Sequence, residues 1–257
     1  MKGILTKKEP EKSLLVVLKK TGGRSRAGRI TSRHRGGGAK RLYRIIDFGE
    51  EHLGVRGKVE AIEYDPNRDA FIAYMRYQNG KTGYLLAPHG IKVGDEIFCD
   101  EKTELNRGNR MRLKHMPVGQ LVYNVELEPT RGGKIVKAAG GWARVEAHEG
   151  KYTHILLPSS EVRKVLEECF ASIGQVSNPE HMYKVLGKAG RTRLKGQRPH
   201  VRGTAMNAAD HPHGGGEGKT STGLKYPKTP WGKHALGVKT RRRRWTNVFI
   251  LQRRKKK

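Results

Sequence analysis

The chain has 257 residues, 35% of them hydrophobic and 30% charged, with a formal net charge of +29. That is length for one large domain or two small ones, with too little apolar content to bury all of it. Two cysteines without CxxC spacing, Cys99 and Cys169, argue against a disulfide scaffold or cysteine zinc site, and no apolar run reaches the ~20 residues of a membrane span. The first residues also lack the apolar region of a signal peptide, so an intracellular location is expected.

The charge is unevenly spread. Residues 1–44 carry 14 Lys/Arg against 2 Asp/Glu, residues 45–178 carry 18 against 19, and residues 179–257 carry 21 against 3. A near-neutral centre thus lies between two basic arms. This is the distribution of a folded core whose extensions neutralise a polyanion and release its counterions. Solubility alone does not call for arms this long, and neither arm shows an amphipathic helix with a Trp/Phe/Leu face for a membrane. RNA is the expected partner; a membrane is not.

In chain order, the short apolar run Leu14-Leu15-Val16-Val17-Leu18 suits a strand or a helix. Arg24, Arg26, Arg29, Arg33, His34, Arg35, Lys40 and Arg41 then recur between glycines with no period. A flexible linker needs Gly and Ser rather than this many arginines, whose planar donors suit phosphate and stack on bases. From Leu42 the pattern turns to β. Residues 42–48 and 57–64 read as strands, Asp65-Pro66-Asn67-Arg68 supplies turn chemistry, and residues 70–78 and 82–87 flank the hairpin signal Asn79-Gly80. Several short strands at this spacing predict a small barrel over 42–105.

A second β series occupies residues 106–178. Residues 120–126 alternate, Arg131-Gly132-Gly133-Lys134 is a turn, and residues 142–147 and 152–157 form a hairpin about Glu149-Gly150. Residues 161–170 fit a helix or a strand equally. Arg107, Arg110 and Arg112 read either as solvated surface or, beside Lys114 and His115, as RNA contacts. After Ser177 the β pattern stops. Asn178 before Pro179 predicts an N-cap, one or two helical turns to Leu186 and a stop at Gly187. The remainder is basic and aperiodic, running through Arg241, Arg242, Arg243 and Arg244 to Trp245.

Residues 198–219 are the most informative stretch. Arg198, His200, Arg202, Asn207, Asp210, His211, His213 and Lys219 stand among Gly203, Gly214, Gly215, Gly216 and Gly218, with almost nothing apolar to bury. Glycine lets a backbone approach a partner closely, and Arg, Lys and amide N–H groups suit phosphate. A nucleotide-binding P-loop fails on spacing, because His213 stands where its first glycine is required. Asp210, His211, His213 and Glu217 have the chemistry of metal ligands or an acid/base pair, but no apolar wall would hold such a site. Trp231 and Trp245 suit either base stacking or packing on the protein itself.

The segments 198–207 and 210–218 resemble the signature of the L-two family of large-subunit ribosomal proteins, in a bacterial or organellar form. The likeness extends to residues 28–38, 63–68, 86–88, 117–119, 180–182 and 185–190. The resemblance implies an all-β core, an OB-fold barrel followed by an SH3-like barrel, with long basic irregular extensions at residues 1–41 and 179–257. It implies binding to large-subunit RNA near the peptidyl-transferase region, where Asp210 and His211 would lie. The implied partners include the small subunit across the interface and neighbouring ribosomal proteins, on a cytoplasmic ribosome or alternatively an organellar one. No enzyme activity and no cofactor are expected, RNA-associated Mg²⁺ being compatible with this. Where the family often has Asn-Pro-Val, this chain has Asn207-Ala208-Ala209, so a less rigid approach to the loop is expected. The alternative from another class is a free-standing RNA chaperone or nucleic-acid-compacting protein.

Overall fold

The computed structural model describes residues 4–6, 9–49 and 52–254. The described residues fall into two compact units. One lies within Met1–Leu18, Lys40–Val185 and Thr246–Lys257; the other combines Lys19–Ala39 with Leu186–Trp245.

The first unit begins with β1 (Leu15–Val17), paired antiparallel with β2 (Leu42–Arg44), so the apolar run at 14–18 is a strand. Leu14 turns inward onto Ile46, Ile72, Tyr74 and Tyr84. β2 is tied down by the turn at residues 65–68. Asp65 Oδ1 accepts the Asn67 N–H at 2.8 Å and its Oδ2 accepts Arg68 Nε at 2.6 Å, while Asn67 Nδ2 donates to the Leu42 carbonyl. Asp65 is fully buried. A buried carboxylate needs such partners, which gives this Asp-Pro-Asn-Arg motif a structural role.

Next come β3 (Arg56–Tyr64), β4 (Phe71–Tyr77), β5 (Thr82–Leu86) and β6 (Glu96–Phe98), an antiparallel sheet in the order β5-β4-β3-β6. The simple alternation read along β3 is interrupted, because the register against β4 shifts between Val59 and Ala61. This bulge at Glu60 lets Val59 and Ile62, of opposite parity, enter one core with Phe71, Met75 and Ile97. Ala61 faces the other core with Ile72 and Tyr84. The β4–β5 loop is Gln78-Asn79-Gly80, since Arg76 pairs with Thr82 and Lys81 accepts from Tyr77. Gly80, at φ +78°, fills the left-handed position that closes a three-residue hairpin.

The second sheet comprises β7 (Arg110–Arg112), β8 (Leu121–Tyr123), β9 (Ala143–Glu149), β10 (Tyr152–Leu156), β11 (Val162–Leu166), β12 (Phe170–Ile173) and β13 (Ile250–Gln252). Its order is β13-β11-β10-β9-β8-β12-β7. Tyr152 pairs with Glu149, leaving Gly150-Lys151 as a two-residue loop. Gly150, at φ +58°, takes the first central position that a II′ turn reserves for glycine. Met111, Leu113, Val122, Val145, Ile155, Val165 and Cys169 form the core. Burial pushes the Cys169 thiol up to about 12, and Cys99 likewise to about 12, so both stay protonated at neutral pH. The core is therefore all-β, an OB-type barrel followed by an SH3-like barrel.

The structure refines four local expectations. The ambiguous 161–170 segment is strand over Val162–Leu166, which has β10 on one side and β13 on the other, and turns before β12 begins at Phe170. The carboxy-terminal arm is not irregular throughout, since β13 returns to the sheet. Asn178 precedes a helical turn with Pro179 at its first position, but it makes no side-chain cap: it sits at φ +60°, and its Nδ2 donates to the Asp69 carbonyl at 2.7 Å instead. A short 3-10 turn, Pro179–Tyr183, follows it, and the α-helix lies further on as α1 (Ala189–Leu194), where no period was visible. Arg110 is neither solvated nor available to RNA. Its side chain is 4% exposed and pairs with fully buried Glu126 at 2.6 Å. Arg112 is engaged by Glu101 and Glu168.

Candidate nucleic-acid interface

The second unit is built by the two basic segments pairing with each other. Arg35 bridges Gln197 in antiparallel fashion. Around them the Gly36 N–H donates to Gly196 O at 3.0 Å, Ala39 N–H to Leu194 O at 2.9 Å, and Arg198 N–H to His34 O at 2.9 Å. His34 Nδ1 is 3.0 Å from the Pro199 carbonyl, so that nitrogen carries the proton and donates. Its ring also meets His200, with centroids 4.4 Å apart. Gly38 is required here: at φ +85°, an added Cβ would lie 2.9 Å from Gly196 N and 3.0 Å from Leu194 O. Gly196, at φ +87°, supplies the left-handed residue that ends α1.

This pairing frames a cleft of ≈ 730 Å³ lined by Lys20, Arg24, Arg33, His34, Arg35 and Arg198, with Gly22, Gly36 and Gly37 in its wall. Arg24, Arg33, Arg35 and Arg198 are exposed. Like charges held together around a concavity repel one another, and an anion entering it relieves that repulsion. Lys20, which sequence reasoning missed, donates from Nζ to Gly38 O at 2.8 Å and brings a further cation to the rim.

The loop at 203–220 is folded on itself. Asn207 O accepts Asp210 N–H at 3.0 Å and His211 N–H at 3.3 Å, closing a turn across Ala208-Ala209 without the proline. Gly214 N–H donates to His211 O, and Gly215 N–H to Met206 O. Gly214 lies so close to the backbone of Asn207 and Met206 that no Cβ fits, and at Gly203 a Cβ would come within 2.5 Å of the His211 ring. These two glycines thus make room for the loop's own atoms.

His211 is consequently buried, at 8% exposure. Its Nδ1 accepts the His213 N–H at 3.0 Å, which places the proton of the neutral ring on Nε2. His213 in turn accepts the Lys228 N–H at Nε2, 2.8 Å away, and the two rings lie 4.7 Å apart. Burial foremost, then the charges of His213 and Arg33, hold His211 below the ordinary value of 6.5. With one nitrogen of each ring already accepting a backbone N–H, the pair is poorly arranged to chelate. Among the described residues no three His, Cys, Asp or Glu side chains come together as a metal set.

The structure therefore gathers Arg24, Arg33, His34, Arg35 and Arg198 about one cleft and joins His211, His213 and Gly214 in one loop. Arg33 also lies over the Trp231 ring at 4.9 Å. Arg26, Arg29, Arg202, Asn207, Asp210, Gly216, Lys219 and Arg241–Arg244 lie exposed along the same unit, Gly215 being half-buried. Lys40 and Arg41 belong to the barrel unit, at the foot of β2.

The sequence matches two family models, the RNA binding N-terminal domain of Ribosomal Proteins L2 over residues 11–99 and their C-terminal domain over residues 106–232. It is also 53% identical over 251 residues, 98% of this chain and 90% of the relative, to the large ribosomal subunit protein uL2 of Phenylobacterium zucineum (strain HLK1). The chain belongs to the ribosomal protein L2 family. The N-terminal L2 match takes in the first basic segment and the OB-type barrel. The C-terminal match runs through the SH3-like barrel and on past His211 to Gly232. Neither match is to an enzyme family.

Proposed function

We propose that the chain is a structural constituent of the large ribosomal subunit that binds large-subunit RNA. The observation that carries this reading is the joining of the two basic segments, through Arg35 and Gln197, around a cleft rimmed by arginines. The barrels, over 42–105 and 106–178, dock on RNA surfaces, and the basic unit enters crevices by neutralising phosphate. The 203–220 loop shapes RNA in the peptidyl-transferase region through Asp210 and His211, without acting as an enzyme itself. The small subunit and neighbouring ribosomal proteins are its further partners, on the cytoplasmic ribosome in a bacterial setting. It needs no cofactor of its own, and Mg²⁺ accompanies the RNA.

Binding to deproteinised large-subunit RNA in the presence of excess unrelated RNA tests this. A ribosomal component retains its target under competition, and His211→Ala or Gly215→Val weakens that retention. Gly215 sits at φ +89°, where valine is strained. A free-standing RNA chaperone would be competed away equally by any RNA and would be indifferent to both substitutions.

A further inference from the structure

Trp231 is the most conspicuous group that phosphate neutralisation leaves unused. It is 72% exposed, although burying an indole removes more apolar surface from water than almost any other side chain. It is also rigidly presented. Thr229 N–H donates to Lys233 O at 2.7 Å, Gly232 N–H to Thr229 O at 2.9 Å, and Ala235 N–H to Pro227 O at 2.9 Å. Lys228 bridges His234. Pro230-Trp231-Gly232 is therefore the three-residue tip of a small hairpin, with proline at the first turn position and Gly232 at φ +75° closing it. At its base Tyr226 and His234 stack, with centroids 4.2 Å apart and planes 25° from parallel.

The Arg33 guanidinium lies over the indole, and a group there can occupy only one of the two ring faces. The sequence from Gly218 to Lys257 contains no Asp or Glu, while Lys228 and Lys233 flank the tip. A flat, open aromatic face set among unopposed cations matches one chemistry: a nucleobase on the ring, its phosphates against the lysines.

We propose that Trp231 is a base-stacking platform, on which an unpaired RNA base, preferentially a purine, lies against the ring face opposite Arg33. The proline and the closed hairpin fix the backbone that carries the ring beforehand, which lowers the conformational entropy lost on stacking. The inference rests on the RNA-binding reading and adds that this hairpin selects unpaired bases over a closed duplex.

The test uses the full chain carrying Trp142→Phe and Trp245→Phe, so that Trp231 alone fluoresces. The probes are an oligoadenylate of about 20 nucleotides and an RNA duplex of equal charge. Stacking predicts saturable quenching by the oligoadenylate and little by the duplex. In the otherwise unaltered chain, Trp231→Ala weakens oligoadenylate binding roughly tenfold and leaves the duplex nearly unaffected, while Trp231→Phe restores most of the loss. If the oligoadenylate binds without quenching, and Trp231→Ala binds it as well as the parent, the platform is overturned and the RNA reading stands. If neither probe binds, both fall.

Discussion

Arg35 and Gln197, drawn from opposite ends of the sequence, pair as antiparallel neighbours and make one unit of two basic arms. Gly38 decides whether they close, because any Cβ there meets the backbone of Gly196 and Leu194. Gly38→Val is expected to abolish hydrogen-exchange protection at the Gly36, Ala39 and Arg198 amides, which donate across the seam. The Val59 amide, bonded to Asp95 within the barrel unit, serves as the unaffected control. A loss of about tenfold or more in protection corresponds to ~1.4 kcal/mol of weakened closure.

His211 makes the loop at 203–220 pH-sensitive. Its folded pKa is depressed, so the neutral ring is the form the fold favours. The stabilisation is complete above the unfolded value of 6.5 and declines as pH falls from there toward the lower folded value. Amide protection at His213 and Gly214 should follow that curve. Gly203→Ala pushes the ring out, since the new methyl lies 2.5 Å from it, and should return the NMR-measured pKa toward 6.5.

The buried pair Arg110–Glu126 holds the SH3-like barrel together. Glu126 also accepts the Phe170 N–H at 3.0 Å, and Arg110 donates to the Asn124 carbonyl at 2.7 Å. Glu126→Leu strands a buried guanidinium and should cost about 3–5 kcal/mol in urea unfolding. The double change Arg110→Met/Glu126→Leu should cost far less, because no charge is left unpaired.

The cleft arginines should report on salt dependence. Replacing Arg24, Arg33, Arg35 or Arg198 singly by alanine is expected to reduce the slope of log affinity against log salt by about 0.7–0.9 for RNA. Arg76→Ala is the comparison, since Arg76 pairs with Glu60 on the barrel and should leave the slope unchanged.

How much of this was visible beforehand depended on whether the cause was local. Asn79-Gly80 announces its hairpin because the left-handed glycine is a property of those residues alone. The bulge at Glu60 was hidden, since apolar residues of both parities, Val59 and Ile62, follow any register equally well. β13 was hidden because three residues between basic runs carry no period, and their partner β11 is far away in sequence. The meeting of His34 with Pro199 spans 165 residues and leaves no local trace. Sequence reading made Arg35 an RNA contact and left Arg110 open between solvated surface and RNA contact; burial makes Arg110 neither, but a core anchor, and leaves Arg35 lining the cleft. At Gly203 and Gly214 the atoms that need the space belong to the 203–220 loop itself, a demand that only the folded loop makes visible.

The most direct test of the central claim is sucrose-gradient sedimentation of the tagged chain from native lysate, with and without dissociating the subunits at low Mg²⁺. Stoichiometric migration with the large subunit in both conditions is the predicted result. A signal spread along polydisperse RNA, or left at the top of the gradient, would contradict a role as a constituent of that subunit.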